Sequence, residues 1–340
     1  MRIGPGDILY ERWKIKRLVG QGGMGYVLEG WDLLLHRRVA IKTLHDVLCA
    51  LPQVHDRFLT EARALARIDA AEVVSIYDAF DWEGLSIVVM EYVEGEPLSA
   101  LLERMPQPPL PFVRALTCGV LRGLRAAHGC GIVHRDIKPD NIMVVRDDDP
   151  LPQFRILDFG VAQVQDEVRH TRTGSVVGTV RYMSPEQVND SSAIDARSDI
   201  YSLGVVMWEM LAGTPPWSHT TKDFELRSHV VHHPLPPLPA SVPEDLRALV
   251  ARMTDKAPDG RPKSASEALR YLEHRHVAPP TRLHPRLCWA HERPCSSAPS
   301  WSPWLGQCGL GTAVSRPPVM ASSGLSSRSC TRHARRERGS

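Results

Sequence analysis

Residues 1–275 predict an α+β fold of two unequal lobes, a small antiparallel sheet with one key helix and then a larger, mainly helical region. Three observations predict it. Short strand-like runs at residues 13–19, 26–31 and 38–42 are separated by Gly or charged turns, the spacing of an antiparallel meander. A helical period follows from Phe58, with strand-like runs after it. Beyond Glu94-Gly95-Glu96-Pro97 the pattern becomes mainly helical. These changes put the small lobe at about residues 10–90, a short connection at 91–95 and the large lobe at 96–275.

Taken in order, the strand at 38–42 alternates so that Ala40 and Lys42 share one face and Val39 and Ile41 the other. Phe58, Ala62, Leu65 and Ile68 recur at helical intervals, and strands are expected at Val73–Tyr77 and Ser86–Met90. Val113, Leu116, Val120, Leu124 and Ala127 form one stripe, stopped by Gly129 and Gly131. Ile142–Val145 and Arg155–Asp158 read as two strands joined by the acidic turn Asp147–Pro150. Asp199–Leu211 is apolar nearly all round and closed by Gly213, as expected of a helix at the centre of its lobe. The last helical pattern is Ala265–Tyr271.

Charge separates this body from the C-terminal tail. Of 41 Lys and Arg and 39 Asp and Glu, ten and two lie from Arg275 onward, leaving 31 bases against 37 acids before it. An acidic body lacks the broad phosphate-binding face of a nucleic-acid protein. Seven Cys without a CxxC pair suggest neither a disulfide framework nor a zinc site, and a reducing cytoplasm fits. No run of eighteen uncharged apolar residues suggests a membrane segment. Residues 276–340 are basic, rich in Arg, Ser, Pro, Cys and Trp, and without period; they read as a disordered linker or a non-native extension.

Gly20-Gln21-Gly22-Gly23-Met24-Gly25-Tyr26-Val27 matches G-x-G-x-x-G-x-V, whose glycines let backbone amides approach phosphates. A plain Gly-rich hairpin would look similar, and a dinucleotide fold would need a helix next, where Tyr26-Val27-Leu28-Glu29 continues as a strand. Lys42 ends Val39-Ala40-Ile41-Lys42. Glu61 lies on the apolar stripe of the first long helix, where an unpaired carboxylate is costly to desolvate, so a Lys42–Glu61 ion pair is expected. His134-Arg135-Asp136-Ile137-Lys138-Pro139-Asp140-Asn141 is followed, seventeen residues after Asn141, by Asp158-Phe159-Gly160. A hairpin between them brings Asn141 and Asp158 together, two hard oxygen ligands suited to magnesium.

With these motifs in order, residues from about Tyr10 to Arg275 resemble the eukaryotic-like protein kinases, and especially their bacterial serine/threonine branch. The resemblance implies a two-lobed kinase fold that phosphorylates protein hydroxyls with ATP and magnesium, or manganese. It implies that Asp136 orients and deprotonates the acceptor hydroxyl, Lys138 steadies the γ-phosphate, and Asn141 and Asp158 hold the metal. Lys42 would contact the α- and β-phosphates. Met90 stands in the gatekeeper position, Glu91 and Val93 would bind adenine through their backbone, and Val27, Ala40 and Met143 would sandwich it. Ser184-Pro185-Glu186 stands where the family has Ala-Pro-Glu and is expected to keep Glu186 paired with Arg261; Asp199 would anchor the catalytic loop. Lys138 and Thr179 are the serine/threonine-type choices, Thr179 belonging to the substrate platform. Thr171 and Thr173, between Asp158-Phe159-Gly160 and Ser184-Pro185-Glu186, are the expected activating autophosphorylation sites, with a second copy of the chain as the partner. A pseudokinase would be expected to have lost Lys42, Asp136 or Asp158. A small-molecule phosphotransferase would not be expected to carry the long segment Val161–Met183.

Overall fold

The computed structural model describes residues 3–22, 25–145, 152–159, 180–189, 194–220 and 222–273. Its first sheet runs in the order β1-β2-β3-β4-β6-β5, built from Ile8–Leu9 (β1), Trp13–Gln21 (β2), Gly25–Asp32 (β3), Arg37–Leu44 (β4), Ile76–Trp82 (β5) and Leu85–Glu91 (β6). The paired strands are all antiparallel. The alternation of β4 decides how the sheet packs. Val39 and Ile41 are buried with Trp13, Ile15, Leu28, Ile87 and Val89 on one face. From the opposite face Leu44 joins Val88 and the helix Pro52–Leu65 (α2), which contributes Phe58, Leu59 and Ala62. A short helix, Asp46–Cys49 (α1), connects β4 to α2.

The strand expected at Val73–Tyr77 lies later, at Ile76–Trp82. Val73 instead forms a parallel bridge with Ile156, Val74 N–H donates to Ile156 O (3.1 Å), and Ile156 N–H donates to Glu72 O (2.7 Å). The apolar Val73-Val74 pair is thus spent on the large lobe, with Val73 in its core. Ile68, expected to extend the first long helix, falls beyond its end at Leu65.

In the large lobe, Leu110–Gly129 (α4) buries its stripe of Val113, Leu116, Val120, Leu124 and Ala127, each large aliphatic contributing roughly 1.5–3 kcal/mol. Gly123 lets this helix approach closely, since a Cβ there would stand 2.7 Å from Ile156 Cδ1. A small sheet, β7-β8-β9, is made from Gly95–Pro97, Ile142–Val145 and Phe154–Ile156, with Leu98–Arg104 (α3) after its first strand. The expected turn Asp147–Pro150 lies outside the described residues. Pro185–Asn189 (α5) precedes the central helix, Ala196–Ala212 (α6). Asp195 caps α6 by accepting from Arg197 N–H, residues 198–211 are all buried, and Gly213 ends it in the left-handed region (φ 81°) that glycine adopts without strain. Asp223–His232 (α7), Glu244–Met253 (α8) and Ala265–Glu273 (α9) complete the lobe. Residues 276–340 lie outside the described residues.

Candidate active site

The site is built outward from Asp199. This carboxylate, on the first turn of α6, is fully buried, and such a charge needs several partners. It has three: His134 N–H donates to Oδ2 and Arg135 N–H to Oδ1, both at 2.8 Å, and His128 Nε2 lies 2.8 Å from Oδ2. Arg135 is thereby held in the left-handed region (φ 66°), a conformation a non-glycine residue keeps only when its surroundings impose it.

His134 fixes the next residue. Asp136 N–H donates to His134 Nδ1 (3.1 Å), so that nitrogen carries the lone pair, and Nε2–H is left to donate to Leu157 O (2.7 Å). One buried ring therefore ties the backbone of Asp136 to the residue before Asp158. A second tie is Leu157 N–H to Asn141 O (2.8 Å), the hairpin contact expected from the sequence.

The Asp136 carboxylate is used on one side only. Lys138 Nζ and Asn141 Nδ2 donate to Oδ2 at 2.8 and 3.0 Å, and Asn141 Nδ2 also reaches Asp136 O at 2.7 Å. Among the described residues Oδ1 accepts nothing. The same holds for Asn141 Oδ1, whose amide nitrogen is committed to Asp136. Asp158, also left-handed (φ 58°), accepts from Lys42 Nζ at 2.6 Å through Oδ1, and no described residue donates to its Oδ2. Burial raises the Asp158 carboxyl, but Lys42, helped by His134 and Lys138, more than offsets this and holds it below the usual carboxylate range.

Here one expectation is corrected: Lys42 pairs with Asp158 and not with Glu61. All three line one cavity of about 40 Å³ together with Phe58, Ala62 and Phe159. Glu61 has no hydrogen-bonded or ion-paired partner among the described residues. Burial pushes its carboxyl up to about 7, although the charges of Arg135, Arg57 and Lys42 all draw it down. The apolar stripe of α2 carries Glu61 into this cavity whether or not a partner meets it, and the single Lys42 ammonium takes the ionised carboxylate at hydrogen-bond distance.

In the Gly-rich turn the glycines have two separate reasons. A Cβ at Gly20 or Gly22 would meet nothing within 4 Å, whereas one at Gly25 would stand 1.8 Å from Thr43 O. Gly25 is therefore a packing requirement. Gly22 N–H donates to Gly25 O (2.9 Å), and His45 Nε2 lies 2.8 Å from Gly22 O. Gln21 ends β2, while Gly23 and Met24 lie outside the described residues. Val27 faces Lys42 across β3–β4, and Ala40 faces Met90 across β4–β6. Met143 faces Arg155 across β8–β9. Glu91 N–H donates to Ser75 O (2.9 Å), so this group is not available to a purine. Val93 lies between β6 and β7.

Below the cleft Glu186 accepts from the fully buried Arg261 at 2.7 and 2.9 Å and from Ser198 Oγ at 2.6 Å. Burial raises Glu186, yet these donors bring it down to about 2. Thr171, Thr173, Thr179 and Gly160 lie outside the described residues.

Sequence reasoning missed the Nδ1 lone pair of His134, the support of Asp199 by His128, the His45 contact and Gln187, whose Nε2 donates to Arg135 O at 2.6 Å. Only Gln187 had a signal, the S-x-x-Q spacing of a capping box at Ser184–Gln187.

A protein kinase domain model matches residues 13–275. The serine/threonine-protein kinase PknA of Mycobacterium tuberculosis is 37% identical over 264 residues, 76% of this chain and 60% of PknA. PknB of Mycobacterium leprae is 34% identical over 295 residues, 84% of this chain and 46% of PknB. The chain thus spans about half the length of these curated relatives. Among solved structures, the PknI kinase domain of Mycobacterium tuberculosis superposes with a TM-score of 0.60 at 22% identity, covering 81% of this chain and all of that domain.

Proposed function

The chain belongs to the protein kinase family, and on that premise we propose that it transfers the γ-phosphate of ATP to serine and threonine hydroxyls of proteins, its own activation segment included. The observation that carries the reading is the one-sided use of Asp136. Lys138 and Asn141 hold Oδ2, and among the described residues none reaches Oδ1, the oxygen that would accept the proton of an acceptor hydroxyl.

Phosphoryl transfer asks for alignment and charge neutralisation more than covalent chemistry. Asp136 aligns the acceptor, held through its own N–H by His134. Lys138, beside Asp136, is placed to follow charge on the moving phosphoryl group. Lys42 would turn from Asp158 to nucleotide phosphate. The open oxygens of Asn141 and Asp158 are a fit for magnesium, which takes few protein ligands alongside phosphates and would supply neutralisation of the phosphate charge.

Serine/threonine preference is supported by Lys138 and by Thr179, and by the similarity to PknA and PknB. The segment containing Thr171 and Thr173 is the proposed site of activating autophosphorylation, with Arg135 the cation that would receive the phosphate. We place this activity in the cytoplasm, which the reducing habit of the cysteines supports. Among the described residues no helix is long and apolar enough to cross a membrane.

The test is incubation with Mg-ATP and a generic protein substrate, followed by phosphosite mapping, for wild type, Lys42→Met and Asp136→Asn. Each variant should lose at least ~100-fold in rate, the scale of a positioned base or a phosphate contact. An Asp136→Asn rate within about tenfold of wild type would remove that role. Transfer to a small molecule alone would replace the protein-kinase reading.

A further inference from the structure

Ser184 and Gln187 close on one another around the start of α5. Ser184 N–H donates to Gln187 Oε1 at 3.0 Å, and Gln187 N–H donates to Ser184 Oγ at 3.4 Å. This is a reciprocal capping box, in which two otherwise unpaired helix-start donors satisfy each other's side chains. Ser184 is fully buried. The hydroxyl of Ser184, absent from the alanine that usually stands there, is thus part of a built contact.

The box leaves one group over. Once Oε1 accepts from Ser184, the amide NH2 of Gln187 points away from it, and Nε2 donates to Arg135 O at 2.6 Å. Both neighbours demand the same amide orientation, a donor toward the carbonyl and an acceptor toward the N–H. The two sides of Arg135 are therefore clamped by different elements: its N–H by Asp199 on α6, its C=O by Gln187 on α5. The clamped carbonyl belongs to the peptide that leads into Asp136.

We infer that the Ser184–Gln187 box is a positioning device for Asp136, with Gln187 holding the left-handed Arg135 peptide that aims the Asp136 carboxylate. This rests on the kinase reading of Asp136. Gln187 acts through the backbone and touches no reacting atom, so its loss should appear in the rate of transfer and not in nucleotide affinity. The cradle for ATP, on β2–β4 and β6, does not include α5.

Three variants of the full chain separate the contacts. Gln187→Glu keeps the acceptor for Ser184 N–H and removes the donor to Arg135; Gln187→Met keeps the length and removes both; Ser184→Ala removes only the hydroxyl. The loss of one hydrogen bond to a carbonyl should lower kcat about tenfold for Gln187→Glu and Gln187→Met, ~1.4 kcal/mol of barrier, with KM for ATP within about twofold of wild type. Ser184→Ala should fall by roughly two- to threefold, because Gln187 remains to reach Arg135. Folding is followed by thermal melting and kcat is read per folded molecule: a merely structural role would lower the melting temperature and leave kcat per folded molecule unchanged. Should Gln187→Glu fail to fold, Gln187→Met decides by the same split of kcat against KM. Wild-type kcat in a folded Gln187 variant, or a fall confined to KM for ATP, overturns the inference. Asp136→Asn is run beside them: if it keeps wild-type rate the reading of Asp136 itself fails, and if it is inactive while the Gln187 variants are not, only the clamp fails.

Discussion

Glu61 and Glu186 are both largely withdrawn from water, one on α2 against the six-stranded sheet and one on α5 beside Ser198 of the central helix, and they end in opposite states. Burial raises both, but Glu61 stays near 7 while Glu186 falls to about 2. The difference lies in donors at contact distance. Glu186 has a bidentate guanidinium and a hydroxyl, whereas Glu61 has only the more distant fields of Arg135, Arg57 and Lys42. A charge deep in a protein is decided by the hydrogen bonds made to it, and diffuse attraction does not substitute for them. The Glu186 end is settled structure; the Glu61 end is a carboxylate without a hydrogen-bonded partner among the described residues, in the cavity that Lys42 also lines.

The comparison is broken most severely by making Glu186 resemble Glu61. Arg261→Met strips the bidentate partner and should destabilise the protein by about 3–5 kcal/mol in urea unfolding at pH 7, the cost of a buried charge left alone. Removing both charges, Arg261→Met with Glu186→Leu, should recover much of that loss. Two-residue recovery smaller than the experimental error would mean that the packing of Arg261, and not its charge, holds the lobe.

Glu61→Gln is the next largest expected change. A carboxyl raised from 4.5 to about 7 binds its proton more tightly in the folded state, so its contribution falls as pH rises from about 4.5 to 7 and is lowest above it. The variant should therefore gain up to ~2 kcal/mol over wild type at pH 8, discounted for partial exposure, and nothing at pH 4. Glu186 has the opposite sign: its contribution is complete above about 4.5 and is lost as pH falls toward 2. Measured against wild type, Glu61→Gln should thus show a gain that grows between about pH 4.5 and 7, and Glu186→Gln a loss that grows between about pH 2 and 4.5. A Glu61→Gln curve parallel to wild type between pH 4.5 and 8 would show that Glu61 finds a partner in solution.

The smallest effect sharpens the same point. Asp158→Asn removes the carboxylate that holds Lys42, and Lys42 then has Glu61 as the remaining acid lining its cavity. The Glu61 carboxyl should move down from about 7, followed by carboxyl-carbon NMR titration. An unmoved Glu61 would place the obstacle in the position of α2 itself.

The pattern of what was readable in the sequence reflects the range of the forces involved. Alternation in β4, the stripe of α4 and the closure of α6 by Gly213 are local and periodic, and the structure has them where the sequence puts them. Asp199 with the catalytic loop and Glu186 with Arg261 were expected from family resemblance, because such buried charges are fixed by shared motifs. The Lys42 partner was not readable. Two acids, Glu61 and Asp158, compete for one ammonium, and the winner depends on where a helix sits as a whole. Val73 was misplaced for a related reason: an apolar pair has no mark to say which lobe it joins. The lone pair on His134 Nδ1 is set by hydrogen bonds to residues two and twenty-three positions away, which no pattern in the chain advertises.

The short bridge from Glu72–Val74 to Ile156 has a mechanical meaning. The linker leaving α2 is stitched to the large lobe, while higher along the same helix His55 Nδ1 lies 2.7 Å from Ser86 Oγ on β6 of the six-stranded sheet. A rod pinned at its foot to one body and along its flank to another cannot stay still when the bodies rotate. Any rotation of one lobe against the other must therefore be taken up in α2, the helix that carries Glu61.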